Sequence, residues 1–422
     1  KPDPDKYEHA HNFCDVLVIG SGPSGVAAAL TAAEQNLNVI LVEQDFELGG
    51  SSLSESNFDN SKHLSLLNYS NIKIMLRTTA FGLYDCGVAG LVERVTDHQS
   101  EPSQHDPRQR FWTIRAKHII LATGALERHF AFGNNDRPGV MNASAARTYL
   151  NRFGILSGKK IIISTNNDSA YQTASELSLT GAEIKLIDSR SKISNDLTGK
   201  TLENGVTIQM NAAAFKVHGG RSVKSIDIAK FNGNHWEKIT NESCDLVLLS
   251  GGWSPILHLL SHRGVRPIWN EENSCFIAGK HNEPITMAGS AAGFWDKESC
   301  IASGEANGLC AAEMLGKKIK NYTFPKHIKS INPIKPLYEV KDPKYKVKSF
   351  VDYQHDVTAD DIKLAHQEGF ISVEHLKRYT TLGMANDQGK MGNIIGLALM
   401  ADLLNKEIPE VGTTMFRPPY TP

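Results

Sequence analysis

The stretch VIGSGPSG, Val18 to Gly25, constrains the fold more than any other part of the chain. It sets Gly20, Gly22 and Gly25 in G-x-G-x-x-G spacing between the apolar run DVLVI (Asp15 to Ile19) and the alanine-rich AAALTAAEQ. Such spacing predicts a strand, a tight turn and a helix. Gly20 permits the turn, Gly22 lets backbone approach a pyrophosphate, and Gly25 lets the helix close on the strand. The free N–H groups and positive dipole end of the helix favour the phosphates. A second strand, NVILVE, ends at Glu43, at the distance where a carboxylate accepts from ribose hydroxyls. Strand, helix and strand make a βαβ unit of a parallel sheet that is expected to bind a dinucleotide. The glycines alone would also suit a purely structural turn. They do not separate FAD from NAD, since both present the same ADP half.

Further along, IKIMLRTTAFGLYD and GVAGLVERV suggest more strands, Asp97 to Arg110 a charged loop, and HIILATGA a buried strand ending in a turn at Gly124. Near Gly158 the pattern restarts, with a strand at Lys160 to Ser164, a helix from Ser169, and strands at EIKLID, VTIQM, VKSIDIAKF and CDLVLLSGG. A last strand, PITMAGSAAG, precedes the small-residue helix ESCIASGEANGLCAAEML. The expected fold class is α/β: two Rossmann-like dinucleotide-binding domains in a glutathione-reductase-like arrangement, one inserted in the other, plus a small, mainly helical C-terminal domain. The boundaries expected are 1–155 with 280–322 for the first domain and 156–279 for the second, then a linker at 323–348 rich in Pro and Lys and a C-terminal domain at 349–422. Its helices are expected near Thr358 to Gln367, Ser372 to Arg378 and Asn393 to Leu404.

The second unit has no glycine fingerprint. Its turn holds Asn166, Asn167 and Asp168, which add bulk where phosphate needs room and a negative charge that repels it. Asp168 reads better as the N-cap of the following helix. This unit is expected to bind no dinucleotide of its own, which argues against hydride exchange between two cofactors within the chain.

Composition narrows the classes further. A net charge of −1 leaves no electrostatic footprint for nucleic acid or an acidic membrane, and the basic Lys317 to Lys320 reads as solvated surface. The six cysteines lack CxxC spacing, which argues against a disulfide framework, a zinc site or an iron–sulfur cluster and suggests buried thiols in a reducing cytosol. No segment supplies about eighteen consecutive apolar residues, and the N-terminus has no signal-peptide core. A cytoplasmic protein is expected, cut at both ends from something longer.

Past Gly49 and Gly50 the chain reads GGSSLSES, where disulfide reductases of this architecture carry a redox cysteine pair, so that chemistry is excluded; Ser51 could instead reach the cofactor. GMANDQGKM (Gly383 to Met391) has one residue too many for a phosphate-binding GxxxxGK[ST] loop, and a methionine where the hydroxyl should be. Its polar side chains remain candidates for contact with a ligand or partner. The sixteen histidines show no metal-ligand spacing. No catalytic residue and no metal ligand is assigned.

Several longer stretches carry a resemblance. KPDPDKYEHAHNFCDVLVIGSGPSG, LRTTAFGLYD, ATGALERHFAFGNNDRPGVM, STNNDSAYQTA, SVEHLKRYTTLGMANDQGK and PEVGTTMFRPPYTP, taken together, resemble the α subunits of heterotetrameric sarcosine oxidase from end to end. The resemblance implies an α chain that holds NAD and works with β, γ and δ subunits. The β subunit carries FAD and a covalent FMN at the α/β interface, and the small δ subunit binds zinc. The complex oxidises sarcosine to glycine, giving hydrogen peroxide and either formaldehyde or, with tetrahydrofolate as acceptor, 5,10-methylenetetrahydrofolate. By position it implies NAD contacts at Ser24, Glu43, Gln44, Asp45, Ser51 and Ala80, and at Ser290, Trp295 and Lys297 in the final strand-to-helix turn. Asn386, Met391 and Gly392 depart from the family's late loop, which puts in doubt a role for its hydroxyls at the flavin interface. Related amine and opine dehydrogenases carry a cysteine-ligated cluster in the C-terminal region; no cysteine follows Cys310, which disfavours that branch. Two rivals remain: a self-sufficient FAD-dependent NAD(P)H oxidoreductase, and a scaffold that holds no cofactor.

Overall fold

A computed structural model describes residues 5–103, 105–319, 321–327, 330–412 and 416–418. The opening KPDP, Lys320 of the basic stretch and most of TTMFRPPYTP lie outside the described residues.

The first sheet has seven strands. β1 (Tyr7–Ile19) leads through helix α1 (Pro23–Glu34) to β2 (Val39–Val42), followed by β3 (Ile72–Met75), β4 (Thr78–Tyr84), β5 (Val88–Arg94) and β6 (Gln109–Leu121), in the order β3-β2-β1-β6-β5-β4. The β3-β2-β1-β6 part is parallel and β6-β5-β4 antiparallel, while strand Ile285–Met287 adds parallel to β6 at Ile119 to Leu121. Every residue of β2 is buried, as expected for a parallel strand covered on both faces. β1 and β6 run much further back than the apolar runs suggested. Alternating residues such as RFWTIR pair with β1 and β5 and form one long ladder where a charged loop was expected up to Arg110.

Helix Lys297–Met314 closes this unit against α1. A Cβ on Gly304 would lie 2.1 Å from the carbonyl oxygen of Ser24, and one on Gly308 2.8 Å from that of Ala28, so the helix backbones meet only because these residues are glycine.

The second sheet, entirely parallel, orders Thr207–Met210, Glu183–Asp188, Lys160–Thr165, Leu246–Ser250 and Val140–Asn142. An antiparallel sheet of Ala212–Gly219, Val223–Phe231 and Trp236–Ser243 packs beside it. Three expected boundaries shift. Strand Val140–Asn142 and helix Ala143–Phe153, within the expected first domain, pair and pack with the second sheet, through Ala143 and Ala146. Leu259 and Leu260, assigned to the second domain, join the core of the first sheet with Leu83 and Ile114. The expected linker is held down: Leu337 and Val340 are buried in the core beside the antiparallel sheet, and Glu339 bridges to Ala131.

The C-terminal region pairs Phe350–Asp352 with Val357–Thr358 and adds helices Ala359–Gln367, Val373–Thr380 and Asn393–Leu404. Thr358 begins the first of them with a capping box to Asp361, and Ser372 sits at the N-cap of the second.

Candidate dinucleotide site

At the end of β1 each glycine does a separate job. Gly20 has φ +102°, and a Cβ there would lie 2.3 Å from the Ala122 carbonyl oxygen. A Cβ on Gly25 would lie 1.8 Å from the Gly20 oxygen, so strand, turn and helix fit only without side chains. Gly22 differs: a Cβ there meets nothing within 4 Å. Its space is open to a ligand, and no side chain caps the N-terminus of α1. Gly50, at φ +53°, folds back until its own Cβ would be 3.0 Å from the Gly22 Cα. The backbone after the double glycine therefore walls the same cradle.

Glu43 is buried at 6% exposure. Its Oε2 accepts from the Ser21 backbone N–H (2.9 Å) and the Ser21 hydroxyl (2.7 Å), and Oε1 accepts from the Asp45 N–H at 2.9 Å. The strand-end carboxylate is thus locked to the glycine turn through Ser21, a residue that reading by glycine spacing passes over.

The other expected contacts spread around this core. Gly124, at φ +78°, faces Ser290, whose hydroxyl would be 4.0 Å from a Gly124 Cβ. Lys297 pairs with Glu55 at 3.0 Å, linking the final strand-to-helix turn to the loop past Gly50. Ser24 is buried beneath Gly289, its hydroxyl without a partner among the described residues. Gln44, Ser51 and Trp295 are exposed. Ala80 is paired with Leu91 and packed in the first core, so only its main chain is available to a ligand. Asp45 is held by Arg152 from helix Ala143–Phe153, at 2.7 and 3.0 Å. Burial pushes its carboxyl upward, but the bonds from Arg152 and the Phe46 N–H outweigh that and hold it below the usual range.

The corresponding crevice of the second unit is filled. Asn166 Nδ2 donates to the Lys335 carbonyl at 2.8 Å and Lys335 N–H returns to the Asn166 carbonyl at 3.2 Å. The Lys335 ammonium reaches the Ser189 carbonyl at 3.0 Å, and Asn332 donates to Asp168 at 2.8 Å. Residues 332–335 form a strap across the ends of the parallel strands, where open α/β sheets bind ligands. Asp168 stands at the N-cap position of helix Ser169–Ser178 as expected, but its carboxylate accepts none of the helix's first N–H groups. Asn167 Oδ1 accepts from the Ser169 N–H instead, and the Asp168 carboxylate takes Arg190 at 2.7 Å. Capping falls to Asn167 because the strap and Arg190 claim its neighbour. The Asn-Asn-Asp turn gave the signal that this site is closed; nothing local in the sequence pointed to Asn332 or Arg190.

In the late loop, Asp387 accepts from the Gly389 and Met391 N–H groups, and Lys390 donates to the Arg417 carbonyl at 2.6 Å. All six cysteines are free; Cys86 is exposed, against the expectation of buried thiols. Among the described residues no helix is long and apolar enough to cross a membrane.

Comparison with known proteins bears on this site directly. The model of the pyridine nucleotide-disulphide oxidoreductase family matches residues 14–272, more than half of the chain. The chain belongs to the pyridine nucleotide-disulphide oxidoreductase family. Residues 346–422 match a second model, the sarcosine oxidase A3 domain. Over its whole length this family member is 40% identical to the sarcosine oxidase subunit alpha of Rhizobium meliloti (strain 1021), and 34% identical to that of Corynebacterium sp. (strain U-96). It is a homologue of sarcosine oxidase α subunits, and it spans 43% and 46% of the length of these two. Among solved structures, L-proline dehydrogenase from P. horikoshii superposes with a TM-score of 0.70 at 19% identity, over 99% of this chain and 79% of that one. At that identity the likeness is one of fold, and it supports the two-unit α/β architecture. The family name refers to disulphides, yet Ser51 and Ser52 follow Gly50 here.

Proposed function

We propose that this chain is the dinucleotide-holding part of a sarcosine oxidase α subunit, with NAD on the Gly20–Gly25 turn and its ribose at Glu43. The observation that carries the reading is the pairing of one open cradle at Gly22 with one crevice closed by the chain itself. Ser24, Gln44, Gly50, Ser51, Gly124, Ser290, Trp295 and Lys297 would complete the contacts, and Ala80 would act through its main chain. In this reading the amine is oxidised on a β subunit that carries FAD and FMN, the chain helps to enclose the FMN, and γ and δ subunits complete a cytoplasmic assembly. Sarcosine, water and oxygen yield glycine, formaldehyde and hydrogen peroxide, with tetrahydrofolate taking the one-carbon unit when present. NAD, when bound, could offer a hydride-accepting ring, but the closed second crevice supports a resident rather than an exchanging nucleotide. A self-sufficient flavoprotein oxidising NAD(P)H is disfavoured by the same closure.

Denaturing the purified protein and weighing the released nucleotide tests the cofactor. NAD is expected, and finding FAD alone would sink the assignment. Two glycine substitutions separate binding from folding. Gly22→Ala meets no protein atom, so thermal stability should hold while nucleotide content falls about tenfold or more, because the methyl blocks the pyrophosphate. Gly25→Ala drives a methyl into the Gly20 carbonyl and should cost about 3 kcal/mol of stability. Equal nucleotide content in Gly22→Ala and wild type would place the dinucleotide elsewhere.

A further inference from the structure

Just beyond Glu43 the surface carries more arginine than a site for a ribose hydroxyl needs. Arg152 grips Asp45 through both nitrogens and lies 3.8 Å from Glu47. Arg94 donates to the Gln44 carbonyl at 2.7 Å and adds to the positive field that lowers Asp45. Arg77, whose N–H binds the Asp45 carbonyl at 2.8 Å, lies 5.2 Å from the Phe46 ring, and Arg152 lies 5.0 Å from the same ring. Asp45 N–H also donates to Glu43 Oε1, so this group of cations adjoins the carboxylate assigned to the ribose. Ribose 2′-phosphates are recognised by arginine at this point of the fold, and 2′-hydroxyls by an acid. Here the arginines are present, and Arg152, the one that reaches the Asp45 carboxylate, has its charge cancelled by that acid.

We propose that Asp45, by neutralising Arg152, is a specificity-determining residue that makes the site select a 2′-hydroxyl dinucleotide over its 2′-phosphorylated form. The proposal rests on the dinucleotide reading of the Gly20–Gly25 turn. Glu43 supplies the hydrogen bonds to the ribose, and the Asp45–Arg152 pair withholds the guanidinium that a 2′-phosphate would need. A free guanidinium binds phosphate through two parallel bonds, while one engaged through Nη1 and Nη2 at 2.7 and 3.0 Å by a carboxylate has given up that face and its net positive charge. Asp45 is only partly buried and Arg152 keeps Glu47 nearby, so Asp45→Ser should fold.

The test uses the full-length protein with the subunits that accompany it, stripped of resident nucleotide in mild denaturant, returned to native buffer with equal concentrations of NAD and NADP, desalted, denatured and analysed by mass spectrometry. Wild type should retain NAD almost alone. Asp45→Ser should shift the retained NADP:NAD ratio upward about tenfold. Asp45→Ser/Arg152→Leu should lose that gain, which separates a freed guanidinium from simple removal of an acid. Wild type retaining NAD, with an unchanged ratio in a folded Asp45→Ser, would overturn the inference and leave the dinucleotide reading standing. Wild type retaining neither nucleotide would overturn both.

Discussion

Arg190→Ala should lower the stability of the fold by about 3–5 kcal/mol, the range for breaking a buried ion pair from one side. Asp188 is fully buried at the end of its strand, and Arg190 holds it through Nε and a terminal nitrogen at 2.8 to 3.1 Å. Burial works against the guanidinium, but the bonds to Asp188 and the charge of Asp168 outweigh it and raise its titration. Truncation leaves Asp188 with the Tyr171 hydroxyl and the Arg190 N–H as its recorded donors, too few to replace a cation. It also frees Asp168 from one of the bonds that hold the strap. Urea denaturation measures the loss, and hydrogen exchange should show faster exchange at residues 332–335. Asp188→Asn/Arg190→Met, which removes both charges, should recover most of the stability. A loss under about 1 kcal/mol in Arg190→Ala would mean that the network is not holding the second unit shut.

Lowering the pH from 7 to 5 should cost the fold about 6 kcal/mol through three buried histidines. Burial pushes His118 and His129 down to about 4 and His258 to about 3. Their exposures of 1%, 2% and 8% agree. These folded values lie below the unfolded value of about 6.5. The stabilisation is therefore fully present above 6.5 and is lost as the pH falls toward the folded values, because the unfolded chain takes up protons that the native one refuses. At pH 5 each site contributes about 2 kcal/mol of that loss, a large share of a typical stability of about 5–15 kcal/mol. The slope of stability against pH near 5 should approach uptake of three protons, and His129→Phe should remove one of them. The His129 ring already packs against Tyr353, with centroids 4.7 Å apart and planes tilted by 39°, so a phenyl ring suits the place. Stability independent of pH between 5 and 7 would show that these imidazoles reach solvent.

The two sites were legible to different degrees. The open cradle could be read almost entirely from spacing, since a turn, a close approach and a helix start are local events within Gly20 to Gly25 and the strand ending at Glu43. Folding brings Gly124 opposite Ser290 and gives the Asp45 side chain to Arg152, about a hundred residues away. The closed crevice was half legible. Asn166, Asn167 and Asp168 announced that phosphate had no place, but the residues completing the closure come from a stretch whose Pro and Lys content looked like a linker. Domain boundaries suffered for the same reason, as the sequence of Val140–Asn142 does not say which of two sheets will accept it.

Backbone sterics and local periodicity, both readable along the chain, were enough for the parallel α/β framework, the glycine turn and the unsuitability of the second turn for phosphate. Long-range packing sets residues 332–335 in the second crevice, turns the carboxylate of the N-cap residue Asp168 to Arg190 and away from the helix N–H groups, and pairs Asp45 with Arg152. Those outcomes depend on which charged and polar groups meet across distant segments, where a carboxylate takes the strongest donor that packing brings to it.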